Sequence, residues 1–120
     1  MRYDVLIAEE NMTQRAFVRE IIGSMGMTSA EVSDAEETER YCGEKKPATC
    51  IISESLPGWD RDLIRKIKAL SPETKIILAA DPNGSILSVI DAINCGAERN
   101  YLTKPYISDE VEHVIEKVIR

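Results

Sequence analysis

Apolar residues fall along this chain in two alternating rhythms. Short runs of strand formers alternate with longer stretches that repeat an apolar residue every three or four positions. Tyr3 to Ala8, Y-D-V-L-I-A, is too short for a helix and is predicted as a strand. Asn11 and Gln14 have capping-box spacing, so a helix should start there. Phe17, Val18, Ile21, Ile22 and Met25 form its apolar stripe, and Gly23 and Gly26 mark its end. Thr28 to Ser33 is a weaker strand holding Ala30 and Val32. Asp34 and Glu37 repeat the capping-box spacing, for a polar helix that runs to about Cys42 or Gly43 and is expected to pack loosely. Lys45-Lys46-Pro47 is a loop, and Ala48 to Ser53, A-T-C-I-I-S, reads as a continuous buried strand.

Leu56-Pro57-Gly58 turns the chain into a third helix, from about Asp60 to Leu70, with Leu63, Ile64 and Ile67 facing inward. Ser71-Pro72 breaks it. Lys75 to Ala80 is the most apolar strand, and Asp81-Pro82-Asn83-Gly84 is a turn. Ile86, Val89, Ile90 and Ile93 build a fourth amphipathic helix, ended by Gly96. Glu98 to Thr103 holds a short strand around Tyr101-Leu102, closed by Lys104-Pro105. Ser108 is expected to cap a last helix carrying Val111, Val114, Ile115 and Val118 on one face. Strand then helix, five times over, calls for an α/β fold with a parallel sheet, helices on both faces and right-handed crossovers. In such sheets the chemistry sits beyond the carboxyl ends of the strands. The stretch Ile51 to Asp60, I-I-S-E-S-L-P-G-W-D, therefore places Ser53, Glu54 and Ser55 where function is expected.

A length of 120 residues suits one domain, read as 1–120. The net charge of −6 argues against nucleic-acid binding and favours a partner with a basic surface. Cys42, Cys50 and Cys95 are odd in number and widely spaced, and His113 is the only histidine. A Cys/His metal site is not expected; reduced thiols in a cytoplasmic protein are. No apolar run approaches membrane-spanning length, so no membrane partner is expected. No glycine-rich phosphate loop follows any strand, which argues against a nucleotide crevice.

Three anchors on this frame carry a family resemblance. Glu9-Glu10 follow the first strand, Leu56-Pro57-Gly58-Trp59-Asp60 the third, and Thr103-Lys104-Pro105 the fifth. Together they make the chain resemble, over essentially its whole length, the CheY-like receiver domains of two-component response regulators. The resemblance implies a flavodoxin-like (βα)5 fold, doubly wound, with strand order 2-1-3-4-5. It also implies Mg²⁺ bound by an acidic pair after the first strand and an aspartate after the third, which takes a phosphoryl group from a histidine kinase. A Thr or Ser after the fourth strand and a Lys after the fifth would contact the phosphoryl oxygens, stabilising charge as it spreads.

Position by position, this chain departs from that pattern. Glu9 and Glu10 stand at the acidic pair, each one methylene longer than aspartate, which weakens a tight octahedral Mg²⁺ site. Ser53 stands at the acceptor position, and a neutral hydroxyl neither takes phosphate as a carboxylate does nor supplies a charged metal ligand. Ala80 stands at the Thr/Ser position, with Ala79 or Asp81 as alternatives. Lys104 and Pro105 are retained. Tyr101 matches the family's switch aromatic, and the stretch Gly96 to Lys104 is one residue longer than is usual in the family, with a bulge expected at Arg99-Asn100.

The resemblance is therefore to a degenerate receiver that lacks the phosphoacceptor aspartate. Without that aspartate, Lys104 is expected to pair with Glu9 or Glu10 and lock one conformation; residual Mg²⁺ at Glu9 and Glu10 is the competing reading, and no other cofactor is expected. Ser53 is taken as a tolerated replacement, and Glu54, pointing away from it by strand alternation, as a solvated loop charge. Trp59 either packs on the third helix or anchors a partner. Tyr101, Asn94 and Arg99 are candidates for the face made by the fourth helix, fifth strand and fifth helix, through which a protein partner or a second copy could dock. The expected function is a phosphorylation-independent binding or dimerisation module, not an enzyme. The alternative is an active receiver that accepts phosphate at a non-standard residue with Mg²⁺.

Overall fold

The computed structural model describes residues 3–119. Five strands and five helices alternate: β1 Asp4–Ala8, α1 Met12–Ser24, β2 Thr28–Val32, α2 Ala35–Lys45, β3 Thr49–Ser53, α3 Asp62–Leu70, β4 Lys75–Ala80, α4 Ile86–Asn94, β5 Leu102–Thr103 and α5 Ser108–Ile119. The strands form one parallel sheet in the order β2-β1-β3-β4-β5. This is the flavodoxin-like, doubly wound arrangement. Side-chain alternation along each strand splits the core into two layers. Leu6, Cys50, Ile52, Ile76 and Leu78 face α2, α3 and α4. Val5, Ile7, Ile51, Ile77 and Leu102 face α1 and α5. The central strands are apolar on both faces because both are covered.

Caps and boundaries follow the polar pattern with some differences. Asn11 and Asp34 cap α1 and α2 by accepting the N–H groups of Gln14 and Glu37. α2 runs on to Lys45, and Lys46 ends it in the left-handed region at φ 47°. Its inward face is small, with Ala35, Thr38 and Cys42 buried. α3 begins two residues later than expected, because Asp60 Oδ1 takes the Asp62 N–H in a turn that precedes it. Ser108 lies inside α5 rather than capping it: the Ile107 carbonyl accepts the first helical bond, from Val111.

Two apolar stripes are narrower than expected. Phe17 is 42% exposed, because the buried arc of α1 centres on Val18, Ile21 and Ile22 and leaves it at the edge. In α4 the sheet receives Val89 and Ala92, so Ile86 and Ile90 turn outward at 59% and 47% exposure. Four isoleucine and valine positions spread over too wide an arc for one contact line. All three cysteines are free and buried. The Cys42 thiol beside it, together with burial, pushes the Cys50 thiol well up from its ordinary value, so it stays protonated.

β5 is shorter and later than expected, at Leu102–Thr103. Glu98 N–H bonds to Ile76 O, and Lys104 N–H bonds to Ala80 O. Six residues on one side thus match four on the other. The surplus bulges out at Arg99 and Asn100, both exposed.

Candidate functional site

Parallel strands deliver their following residues to one end of the sheet. Glu9 and Glu10 follow β1, Ser53 ends β3, and Lys104 follows β5. In the order β2-β1-β3-β4-β5, Lys104 must cross the end of β4 to reach the other three. β4 ends in Ala79-Ala80, with no side-chain atom beyond Cβ to block it. Ala80 pairs with Thr103, and its carbonyl takes the Lys104 N–H at 2.9 Å.

The lysine arrives with all three of its N–H donors used. Lys104 Nζ lies 3.0 Å from Glu9 Oε1, 3.1 Å from Glu9 Oε2, 3.0 Å from Glu10 Oε2 and 3.0 Å from Ser53 Oγ. Glu9 and Ser53 are fully buried, and Lys104 nearly so. A buried carboxylate needs further donors. Glu9 has them: Tyr106 Oη donates to Oε1 at 2.8 Å, and the Asn11 N–H donates to Oε2 at 2.9 Å. Arg15 Nη1 holds the Glu9 carbonyl at 2.9 Å. Ser53 Oγ also accepts the Ser55 N–H at 3.1 Å.

Electrostatics follow the geometry. Burial pushes the Glu10 carboxyl up, but its own backbone N–H and hydrogen bonds involving Lys104, Glu9 and Ser53 pull it further down, so it sits below its ordinary range. Burial, and then the Glu9 charge, raise the Tyr106 phenol, which stays a donor. Tyr106 was not singled out by sequence reasoning; its only signal was an aromatic residue two positions after Lys104. Removing its hydroxyl in Tyr106→Phe is expected to cost about 1–2 kcal/mol, the loss of one hydrogen bond to a buried charged acceptor that keeps Lys104 at 3.0 Å. Urea denaturation beside the wild type measures it.

Mg²⁺ requires hard oxygen ligands in a near-octahedral array. Here an ammonium group fills the space between the two carboxylates, and both Glu9 oxygens already accept hydrogen bonds. Among the described residues no group of three or more His, Cys, Asp or Glu side chains could hold a metal. The residues as arranged do not fit the ion.

The remaining candidates lie around this centre. Trp59 and Tyr101 are half-buried against the α2–α3–α4 core layer. Asn94 and Arg99 are exposed. Glu54 is not the solvated charge expected of it. Its Oε1 accepts the Asp81 N–H at 2.7 Å and ties two loops together. Alternation does turn it from the Ser53 side, but toward an unpaired backbone donor that the sequence does not display. No helix among the described residues is long and apolar enough to cross a membrane.

Comparison with known proteins agrees with the fold. The family model for the response regulator receiver domain matches residues 5–116. A CheY-like response regulator receiver domain protein from Methanospirillum hungatei is 21% identical, with TM-score 0.87 over 99% of this chain and 95% of that one. The REC domain of AraT, a response regulator from Geobacillus stearothermophilus, is 24% identical, with TM-score 0.87 over 98% and 93%. NtrX from Brucella abortus is also 24% identical, with TM-score 0.86 over 99% of this chain but 26% of that one. With a family model matched along nearly its whole length, this chain belongs to the response regulator receiver domain family.

Proposed function

We infer that this receiver domain is a degenerate one, a phosphorylation-independent module that binds a protein partner or a second copy of itself. The observation that carries the reading is the saturation of Lys104. Its ammonium is spent on Glu9, Glu10 and Ser53, so no N–H remains for an incoming phosphoryl oxygen. The residue at the acceptor position is a buried hydroxyl rather than a carboxylate, and Ala80 supplies no side-chain donor. The module is then a binding protein and not an enzyme.

The docking face is the one made by α4, β5 and α5. Ile86, Leu87 and Ile90 are exposed on it, at 59%, 65% and 47%, with Asn94 and Arg99 beside them. Exposed large apolar residues grouped on one short helix are what an interface needs.

Amide NMR of the purified domain tests the reading, by titration with Mg²⁺ and then with Mg²⁺ plus beryllofluoride. The expected outcome is no saturable shift at Glu9, Glu10, Ser53 or Lys104. Saturable shifts there, spreading to Tyr101, would instead establish an active receiver with a non-standard acceptor.

A further inference from the structure

The connection between β4 and α4 carries a contact that the lysine centre does not use. The last rungs of the sheet are Glu54 N–H to Ala79 O at 3.1 Å and Lys104 N–H to Ala80 O at 2.9 Å. Backbone groups alternate sides along a strand, so the Asp81 N–H points back toward β3. β3 has already turned there, with Ser53 O taken by the Leu56 N–H at 3.3 Å. The Glu54 carboxylate replaces the missing carbonyl, accepting the Asp81 N–H at 2.7 Å. Residue 84 must be small for this: a Cβ on Gly84 would lie 2.7 Å from that same carboxylate oxygen.

From Asp81 the contacts run on into α4. Asp81 O accepts the Gly84 N–H at 2.9 Å, and Asp81 Oδ1 accepts the Asn83 N–H at 2.9 Å. Ser55 Oγ donates to Asp81 Oδ2 at 3.3 Å. Ser85 Oγ then caps α4 by accepting the Leu87 N–H at 3.1 Å. α4 itself buries only Val89 and Ala92, so packing alone anchors it weakly.

We propose that Glu54 is an internal latch: its carboxylate holds the β4–α4 loop, and through it the apolar outer face of α4, in one position with no added group. This rests on the phosphorylation-independent reading and names what does the fixing. Glu54 is a positioning residue. It acts through the loop and touches no partner.

Two readouts test it. Trp59 is the only tryptophan, and it lines one cleft of about 270 Å³ together with Ser88 and Asp91 of α4, so its fluorescence reports where α4 sits. Hydrogen exchange followed by NMR reports each amide from Asp81 to Ile90, Pro82 excepted. In Glu54→Ala the Asp81 amide should exchange faster by about tenfold or more, as when a bond to a charged acceptor is lost. The first turn of α4 should exchange faster with it, and Trp59 emission should shift. Glu54→Gln keeps an oxygen acceptor and should restore all three. Gly84→Ala pushes a methyl group onto the same oxygen and should reproduce the effect, yet add little on top of Glu54→Ala.

Unchanged Asp81 exchange in Glu54→Ala overturns the latch. So does faster exchange confined to Asp81, with α4 and Trp59 unmoved, or a glutamine variant that behaves like alanine. The beryllofluoride titration is separate. Saturable pocket shifts in the wild type would remove the phosphorylation-independent reading and leave these exchange results standing.

Discussion

Replacing Lys104 by alanine is expected to lower the stability of the fold by about 3–5 kcal/mol, the cost of stranding a buried charge by removing its partner. Glu9 is fully buried and loses in this substitution the one cation that pairs with its carboxylate among the described residues. Tyr106 Oη and the Asn11 N–H remain, but two neutral donors do not offset a full charge. Native domains are stable by only about 5–15 kcal/mol, so the loss is large on that scale. Urea denaturation of Lys104→Ala measures it. Neutralising the stranded acid in a Glu9→Gln, Lys104→Ala double variant should recover part of the loss, and the cycle isolates the pair. A Lys104→Ala variant as stable as the wild type would count against the lock.

The same variant should change the acid limb of the stability curve. Glu10 has its folded value below the ordinary 4.5. Its contribution is therefore present above the unfolded value and is lost as pH falls through the folded one. One of the hydrogen bonds that lower it comes from Lys104. Without the lysine, stability should fall less steeply below pH 4.5 than it does in the wild type, as thermal unfolding across pH reads directly.

Ser53→Asp carries the second large effect, a loss of roughly 3 kcal/mol in metal-free buffer, at the upper end of ordinary single substitutions. Ser53 is fully buried and already donor-bound to Lys104. A third carboxylate would compete for one ammonium and leave the pocket with two net negative charges. Those three carboxylates make the hard-oxygen set that the wild type lacks, so Mg²⁺ should raise the melting temperature of Ser53→Asp by mass action. The wild type should melt at the same temperature with and without Mg²⁺. A wild-type shift with Mg²⁺, or no Mg²⁺ response in Ser53→Asp, would contradict the arrangement.

Local physics made most of the fold legible. Asn11 and Asp34 were readable as caps because a cap needs only one side chain and an amide three residues on. β4 matched its expected limits, Lys75–Ala80, because an apolar run ending in Asp-Pro has no alternative continuation. Errors gathered where a neighbour decides. Ile86 and Ile90 fit a helical period as well as Val89 does, but only the sheet chooses which arc it receives. Ser108 has good capping chemistry, yet the chain entering from Pro105 gives that position to Ile107. β5 lost its first residues to a bulge bracketed by bonds from Glu98 to Ile76 and from Lys104 to Ala80, more than one whole helix earlier in the chain, on β4.

The candidate site divides in the same way. Glu9, Glu10, Ser53 and Lys104 could be placed at one end of a sheet from sequence, because five βα units deliver every strand's carboxyl end to the same side. That Lys104 contacts all three partners at once depended on β4 ending in alanines beneath its path. Tyr106 closing over Glu9, and Glu54 taking the Asp81 N–H, came only from the folded chain. Sequence by itself determined which residues are apolar, which can cap and in what order elements follow, since those are properties of a residue and its near neighbours. Tertiary structure alone decided which carboxylate meets which donor, because hydrogen bonds act over about 3 Å and the partners here stand as far as 97 positions apart along the chain.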